Sequence, residues 1–153
     1  MNAVTKSVVE PVALSHVGIR VADVQRSLDF YRRVFGYKLF YDNHATGSDE
    51  RVLIGVIADV ALELVHKPNS PPFRMSSNAN GYCCVTFSVK DVDVAYSALS
   101  AQGLANLDAP VTLPSGVRTV LFQDPDGNLV ELIDLKGPIS LAEMAKGRPE
   151  ITE

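Results

Sequence analysis

Two pairs of metal-capable residues recur in this chain at one spacing. His16 and Cys84 stand 68 positions apart, and so do Glu63 and Glu131. An imidazole, a thiol and two carboxylates brought into one cavity make a divalent metal site. Two carboxylates buried side by side repel, and one stays protonated unless a cation neutralises both. Nitrogen and carboxylate oxygen suit Zn, Fe, Mn, Ni or Co, and a cysteine thiolate shifts the choice toward Zn or Fe. A carboxylate in such a site can also carry a proton to or from a substrate.

The spacing belongs to a longer repeat. His16-Val-Gly-Ile-Arg-Val-Ala-Asp23 matches Cys84-Val-Thr-Phe-Ser-Val-Lys-Asp91, and Leu62-Glu63-Leu64 matches Val130-Glu131-Leu132. Arg51-Val-Leu-Ile54 over Thr119-Val-Leu-Phe122 keeps the same offset of 68. Two copies of one module are therefore expected, at 14–66 and 82–135, joined by a Pro-, Ser- and Asn-rich loop at 67–81. Residues before about 13 and from 136 to 153 read as tails, with a short helix near 141–146.

Each copy parses as β-α-β-β-β. Residues 14–21 alternate, with His16, Gly18 and Arg20 opposite Val17, Ile19 and Val21. Cys84, Thr86 and Ser88 oppose Val85, Phe87 and Val89 in the same way. Asp23 and Asp91 cap helices whose apolar positions recur at helical spacing, and Gly36 and Gly103 stop them. Further strands are expected near 37–42, 51–57 and 60–66, and near 108–112, 117–123 and 128–134, with Asp126-Gly127 turning between the last two. The fold class is α+β: two four-stranded sheets, helices on their apolar faces, curving as an eight-stranded mixed sheet round a cup. Glu63 and Glu131 lie opposite the leucine faces of their strands and so face the cup. Leu53, Thr119 and Leu121 are expected in its wall. Loop-adjacent His44 and Tyr82 are expected near it as substrate contacts, His44 as an acid or base.

Composition narrows the partners. The chain has 153 residues, 46% hydrophobic and 21% charged, which excludes disorder and suits one domain or two small fused units. A net charge of −4 with no basic block argues against nucleic acid and anionic membranes. Apolar runs are too short for a bilayer, no signal-peptide pattern opens the chain, and a soluble, cytoplasmic, reducing setting is expected. The two cysteines, Cys83 and Cys84, are adjacent. On an extended strand they point to opposite faces and are not expected to pair.

Several blocks resemble the vicinal-oxygen-chelate superfamily of glyoxalase I, epimerases, extradiol dioxygenases and bleomycin- and fosfomycin-resistance proteins. They are His16-Val-Gly-Ile-Arg-Val-Ala-Asp-Val24, Ser27-Leu-Asp-Phe-Tyr-Arg-Arg-Val-Phe-Gly36, Ala61-Leu-Glu-Leu-Val65, Phe87-Ser-Val-Lys-Asp91 and Asp124-Pro-Asp-Gly-Asn-Leu-Val-Glu-Leu-Ile133, covering about 14–135. The resemblance implies a divalent metal held by His16, Glu63 and Glu131, with Cys84 where the family usually has a fourth, histidine ligand. It places Arg20 where glyoxalase I holds its thiol-tripeptide substrate. It implies a small-molecule substrate, a homodimer, and a cup closed either within one chain or between two. The reaction implied first is lyase or isomerase chemistry, with Glu131 or Glu63 moving a proton through a metal-stabilised enediolate. An extradiol-type or other Fe(II) dioxygenase is the alternative, and a non-catalytic, resistance-type binding protein is a third.

Overall fold

The computed structural model describes residues 8–9, 11–44, 47–72, 80–149 and 151. The first module runs β1 (His16–Arg20), α1 (Val24–Phe35), β2 (Lys38–Asp42), β3 (Arg51–Ile57) and β4 (Val60–His66). The second runs β5 (Val85–Ser88), α2 (Val92–Ala101), β6 (Val111–Thr112), β7 (Arg118–Gln123) and β8 (Leu129–Asp134), followed by the short α3 (Leu141–Ala145). The sheets are ordered β1-β4-β3-β2 and β5-β8-β7-β6, so the two α+β modules share one topology. In each, the first strand runs parallel to the last, which requires a long crossover, here through the helix and two further strands.

Helix ends form where the sequence supplies caps. Asp23 accepts a hydrogen bond from Arg26 N at 2.9 Å and Asp91 one from Val94 N at 2.9 Å, each satisfying an otherwise unpaired first-turn donor. Gly36 takes the left-handed conformation that closes α1, with φ of 66°. The alternation expected of β1 is present, with Val17 and Ile19 turned inward and His16, Gly18 and Arg20 outward.

Two expectations change. The strand expected near 108–112 is only Val111–Thr112, with one isolated bridge from Leu107 to Phe122. The constant offset also fails in the third strand of each module. Ile54 pairs with Glu63 and Leu121 with Glu131, an offset of 67. The β3–β4 hairpin turns through Ala58-Asp59, whereas the β7–β8 turn spans Asp124–Asn128, and the longer turn moves β7 by one residue. One residue of slip flips a strand's faces. Leu53 is therefore wholly buried in the core and does not line a cup, while Thr119 and Leu121 share the face of Glu131.

Both modules contribute to one hydrophobic core, with Leu62 and Leu64 of β4 together with Val130 and Leu132 of β8. Phe35 of α1 joins them, its ring 4.8 Å from that of Phe87 and stacked 6.1 Å from that of Phe122. A polar clasp reinforces the join. Asp126 accepts from Ala22 N (2.9 Å), Arg26 Nη2 (2.7 Å) and Ser27 Oγ (3.1 Å) at the start of α1. Buried Asp124 accepts from the Tyr31 hydroxyl at 2.8 Å, and also from the backbone N–H groups of Asp126 and Asn128. Burial and then the Asp124 carboxylate push the Tyr31 hydroxyl far above the ordinary tyrosine range. The Asp-Pro-Asp-Gly-Asn block thus fastens the second module to the first.

Candidate metal centre

In the first module His16 opens β1 and Glu63 sits mid-β4, on the strand paired beside it. The Ser15 hydroxyl meets Nδ1 of His16 at 3.0 Å, which leaves Nε2 facing Glu63 Oε2 at 3.6 Å. Gly18 lies directly across from Glu63, and a side chain there would begin 3.1 Å from Oε2. A Cβ there would crowd the carboxylate, which would have to give by a few tenths of an ångström. Behind the sheet, Gly55 leaves room for Tyr37, whose ring a Cβ at Gly55 would meet at 2.3 Å. The Tyr37 hydroxyl donates to Leu62 O at 3.1 Å, and burial pushes it up to about 12.

In the second module Thr86 replaces Gly18 at the equivalent register, across from Glu131. Its hydroxyl donates to Glu131 Oε2 at 2.8 Å, and Thr119 donates to Oε1 at 2.6 Å. Cys84 lies just ahead of β5, its sulfur 3.9 Å from Glu131 Oε2 and 3.5 Å from the Thr86 hydroxyl. Burial raises the Cys84 thiol above its usual range. A cation binding there must displace that proton. The two threonine contacts were not foreseen as a holding pair. Their signal was the Gly18/Thr86 exchange, and for Thr119 only the register shows it.

The adjacent cysteines are unpaired as expected, but they do not point to opposite faces. Residues 82–84 precede β5, so strand alternation does not govern them, and the Cys83 and Cys84 sulfurs are 3.6 Å apart.

Each donor pair has a spacing close to that of two neighbouring ligands on one ion. Bond lengths near 2.0–2.3 Å at angles of 90–110° separate such donors by roughly 2.8–3.8 Å. The His16–Glu63 pair, at 3.6 Å, lies within that range, and the Cys84–Glu131 pair, at 3.9 Å, lies just outside it. The pairs do not meet each other. Glu63 and Glu131 point out of the core that holds their strand neighbours, and among the described residues no three His, Cys, Asp or Glu side chains come together. Two surface clefts, of about 460 and 300 Å³, are lined by other residues, Ser88–Asp91 with Asp134–Ile139 and Phe30 with Gly103–Asn106 among them.

The expected substrate contacts are dispersed. Arg20 closes β1 on the His16 face, roughly 13 Å along the strand, and reaches Glu50 at 3.7 Å. His44 is exposed just beyond β2, its backbone N–H donating to Asp42. Tyr82 is fully exposed two residues before Cys84.

Residues 13–132 match the model of the Glyoxalase/Bleomycin resistance protein/Dioxygenase superfamily, and the chain belongs to that family. A lactoylglutathione lyase of Neisseria meningitidis is 30% identical over 131 residues, covering 80% of this chain and 91% of the relative. A glyoxalase family protein from Enterococcus faecalis superposes with a TM-score of 0.71 at 23% identity, over 80% of this chain and 97% of that one. The fosfomycin resistance protein FosX from Listeria monocytogenes, solved with Mn(II) and sulfate, gives 0.63 at 21% identity over 90% and 100%. The latter two likenesses concern the fold. Among the described residues no helix is long and apolar enough to cross a membrane.

Proposed function

We propose that this chain is a metal-dependent lyase or isomerase acting on small α-hydroxy-carbonyl compounds, with its site assembled between two copies. His16 and Glu63 of one chain would meet Cys84 and Glu131 of the other. The observation that carries this is the pairing of two half-sets of donors on open sheet faces whose opposite faces share a single core. A second copy supplies what each half-set lacks, in a self-complementary two-fold arrangement. The lactoylglutathione lyases among its relatives support the reaction class.

The residues divide the work. A bound Zn, Fe, Ni, Mn or Co ion would act as a Lewis acid, lowering the cost of negative charge on two vicinal substrate oxygens. Glu131, held at both oxygens by Thr86 and Thr119, is the fixed carboxylate, since swinging away would break two charge-assisted hydrogen bonds. Glu63, which faces His16 and the space over Gly18, is the one assigned to take the proton alpha to the carbonyl and return it. Arg20, with its side chain 65% exposed and a long contact to Glu50, receives a substrate carboxylate at the rim. His44 and Tyr82 are the remaining rim contacts.

A binding protein without catalysis is the second reading, favoured by Cys84 standing where the family usually has a histidine. Ring cleavage by Fe(II) is less well served, since His16 is the sole imidazole in the donor set. Metal content of protein purified without chelator, with solvent-proton exchange into α-hydroxy ketones and O₂ uptake with catechols, separates the three. Metal-dependent exchange is expected. O₂ uptake without exchange, or neither even after metal loading, overturns the assignment. For the shared site, mixing inactive His16→Ala and Glu131→Ala chains should restore about a quarter of wild-type activity, because half the dimers would carry one intact site. Activity that stays absent places the donors within single chains.

A further inference from the structure

Cys83 and Cys84 are the chain's only cysteines, and their sulfurs lie 3.6 Å apart. Cys83 is exposed, whereas Cys84 is partly buried against Thr86 and Glu131. We infer that the two form a vicinal dithiol that a hydroperoxide closes to an intrachain disulfide, a reversible modification site at the edge of the second donor pair. It does not depend on the reaction proposed above.

The chemistry assigns each sulfur a part. The accessible Cys83 sulfur, as thiolate, attacks one peroxide oxygen. The O–O bond breaks, the other oxygen leaves as alkoxide and takes up a proton to become an alcohol, or water from hydrogen peroxide. Cys83 is left as a sulfenic acid. The Cys84 sulfur then attacks the Cys83 sulfur, the S–O bond breaks, and hydroxide departs with the Cys84 proton as water. In sum two thiols lose two electrons and two protons, and one peroxide becomes an alcohol and water. Cys84 is the resolving partner because it is less accessible but already in sulfur contact, which favours ring closure over a second oxidation.

The product is easily reopened. Adjacent Cα atoms are about 3.8 Å apart across a trans peptide, below the usual disulfide range of roughly 4.4–6.8 Å. A bridge so constrained is strained, and strained exposed bridges are the labile ones. Closure also draws the Cys84 sulfur toward Cys83 and off Glu131, so one member of the second donor pair is withdrawn while Thr86 and Thr119 continue to hold the other.

The test uses full-length protein stripped of metal with chelator and treated with a small excess of hydrogen peroxide. The readouts are thiol titration, non-reducing electrophoresis and mass spectrometry of the tryptic peptide 75–90, which carries both cysteines. Wild type should lose both thiols together, lose two hydrogens at the Cys83–Cys84 pair, stay uncrosslinked between chains and recover with dithiothreitol. Cys84→Ser should stop at a sulfenic acid that dimedone traps on Cys83, and Cys83→Ser should lose its remaining thiol at least tenfold more slowly than wild type loses its first. Interchain crosslinks, oxygen added separately to each cysteine, or thiols that survive peroxide in the wild type would each overturn the assignment. So would equal dimedone trapping in wild type and Cys84→Ser.

Discussion

The two modules present the same position in opposite ways. Across from Glu63 stands Gly18, and across from Glu131 stands Thr86. The glycine opens space over the strand, while the threonine fills it with a donor that fastens the carboxylate. A similar contrast separates the two hairpin turns. Ala58-Asp59 is short and solvent-facing, whereas Asp124–Asn128 is longer, partly buried and bonded to α1 of the other module. A duplicated fold thus leaves one carboxylate over a glycine and holds the other with two hydroxyl donors. It also assigns the second copy's turn to hold the copies together.

The largest expected effect breaks the carboxylate asymmetry. Glu63→Gln should lower turnover by about 10²–10⁴-fold, the range for losing a positioned acid-base group. Thr86→Val should lower it less, by about 10- to 150-fold and toward the lower end, since one hydrogen bond to a charged group is worth about 1.5–3 kcal/mol and Thr119 still holds the other oxygen. Steady-state kinetics of the two variants checks this, and equal losses would remove the division between a moving and a fixed carboxylate.

The clasp comes next. Asp124→Ala strands the buried Tyr31 hydroxyl and should cost about 2–4 kcal/mol of unfolding free energy in urea titration. Asp59→Ala, in the matching exposed turn, should stay within about 0.5 kcal/mol. Tyr31 also sets an alkaline limit. Below the ordinary tyrosine value of 10.0 both folded and unfolded states keep the proton, and stability is full. As pH rises past it, only the unfolded chain can release that proton, so stability falls. Tyr37 adds a smaller loss between 10.0 and about 12. Tyr31→Phe should flatten this alkaline decline while lowering stability at neutral pH.

The smallest effect concerns the short hairpin. Ala58 holds a left-handed φ of 52°, a conformation that costs a non-glycine residue about 1–2 kcal/mol. Gly127 serves the corresponding longer turn at φ 85°. Ala58→Gly should therefore stabilise the protein, by up to about 1 kcal/mol once the unfolded chain's added freedom is set against the relieved strain. Thermal unfolding resolves a shift of that size.

Much of this was legible in the chain because local rules produce it. Alternation placed His16, Gly18 and Arg20 on one face, and Asp23, Asp91 and Gly36 marked helix ends through the backbone groups they satisfy. The repeat paired His16 with Cys84 and Glu63 with Glu131, since the first and last strands of both modules keep one offset. Strand alternation failed at Cys83 and Cys84 because β5 begins one residue later, at Val85. The repeat failed at Leu53, because a turn's length sets the register of the strand before it, and one added residue exchanges its faces.

The sequence by itself determined the module, its duplication and the types of donor available, all of which follow from periodicity and short-range hydrogen bonding. Only the tertiary structure decided how the copies sit together. That depends on contacts between residues about a hundred positions apart, such as Arg26 with Asp126 and Tyr31 with Asp124, whose partners no local pattern specifies. The same packing turned the leucine faces into one core and left the two donor pairs apart on their open faces.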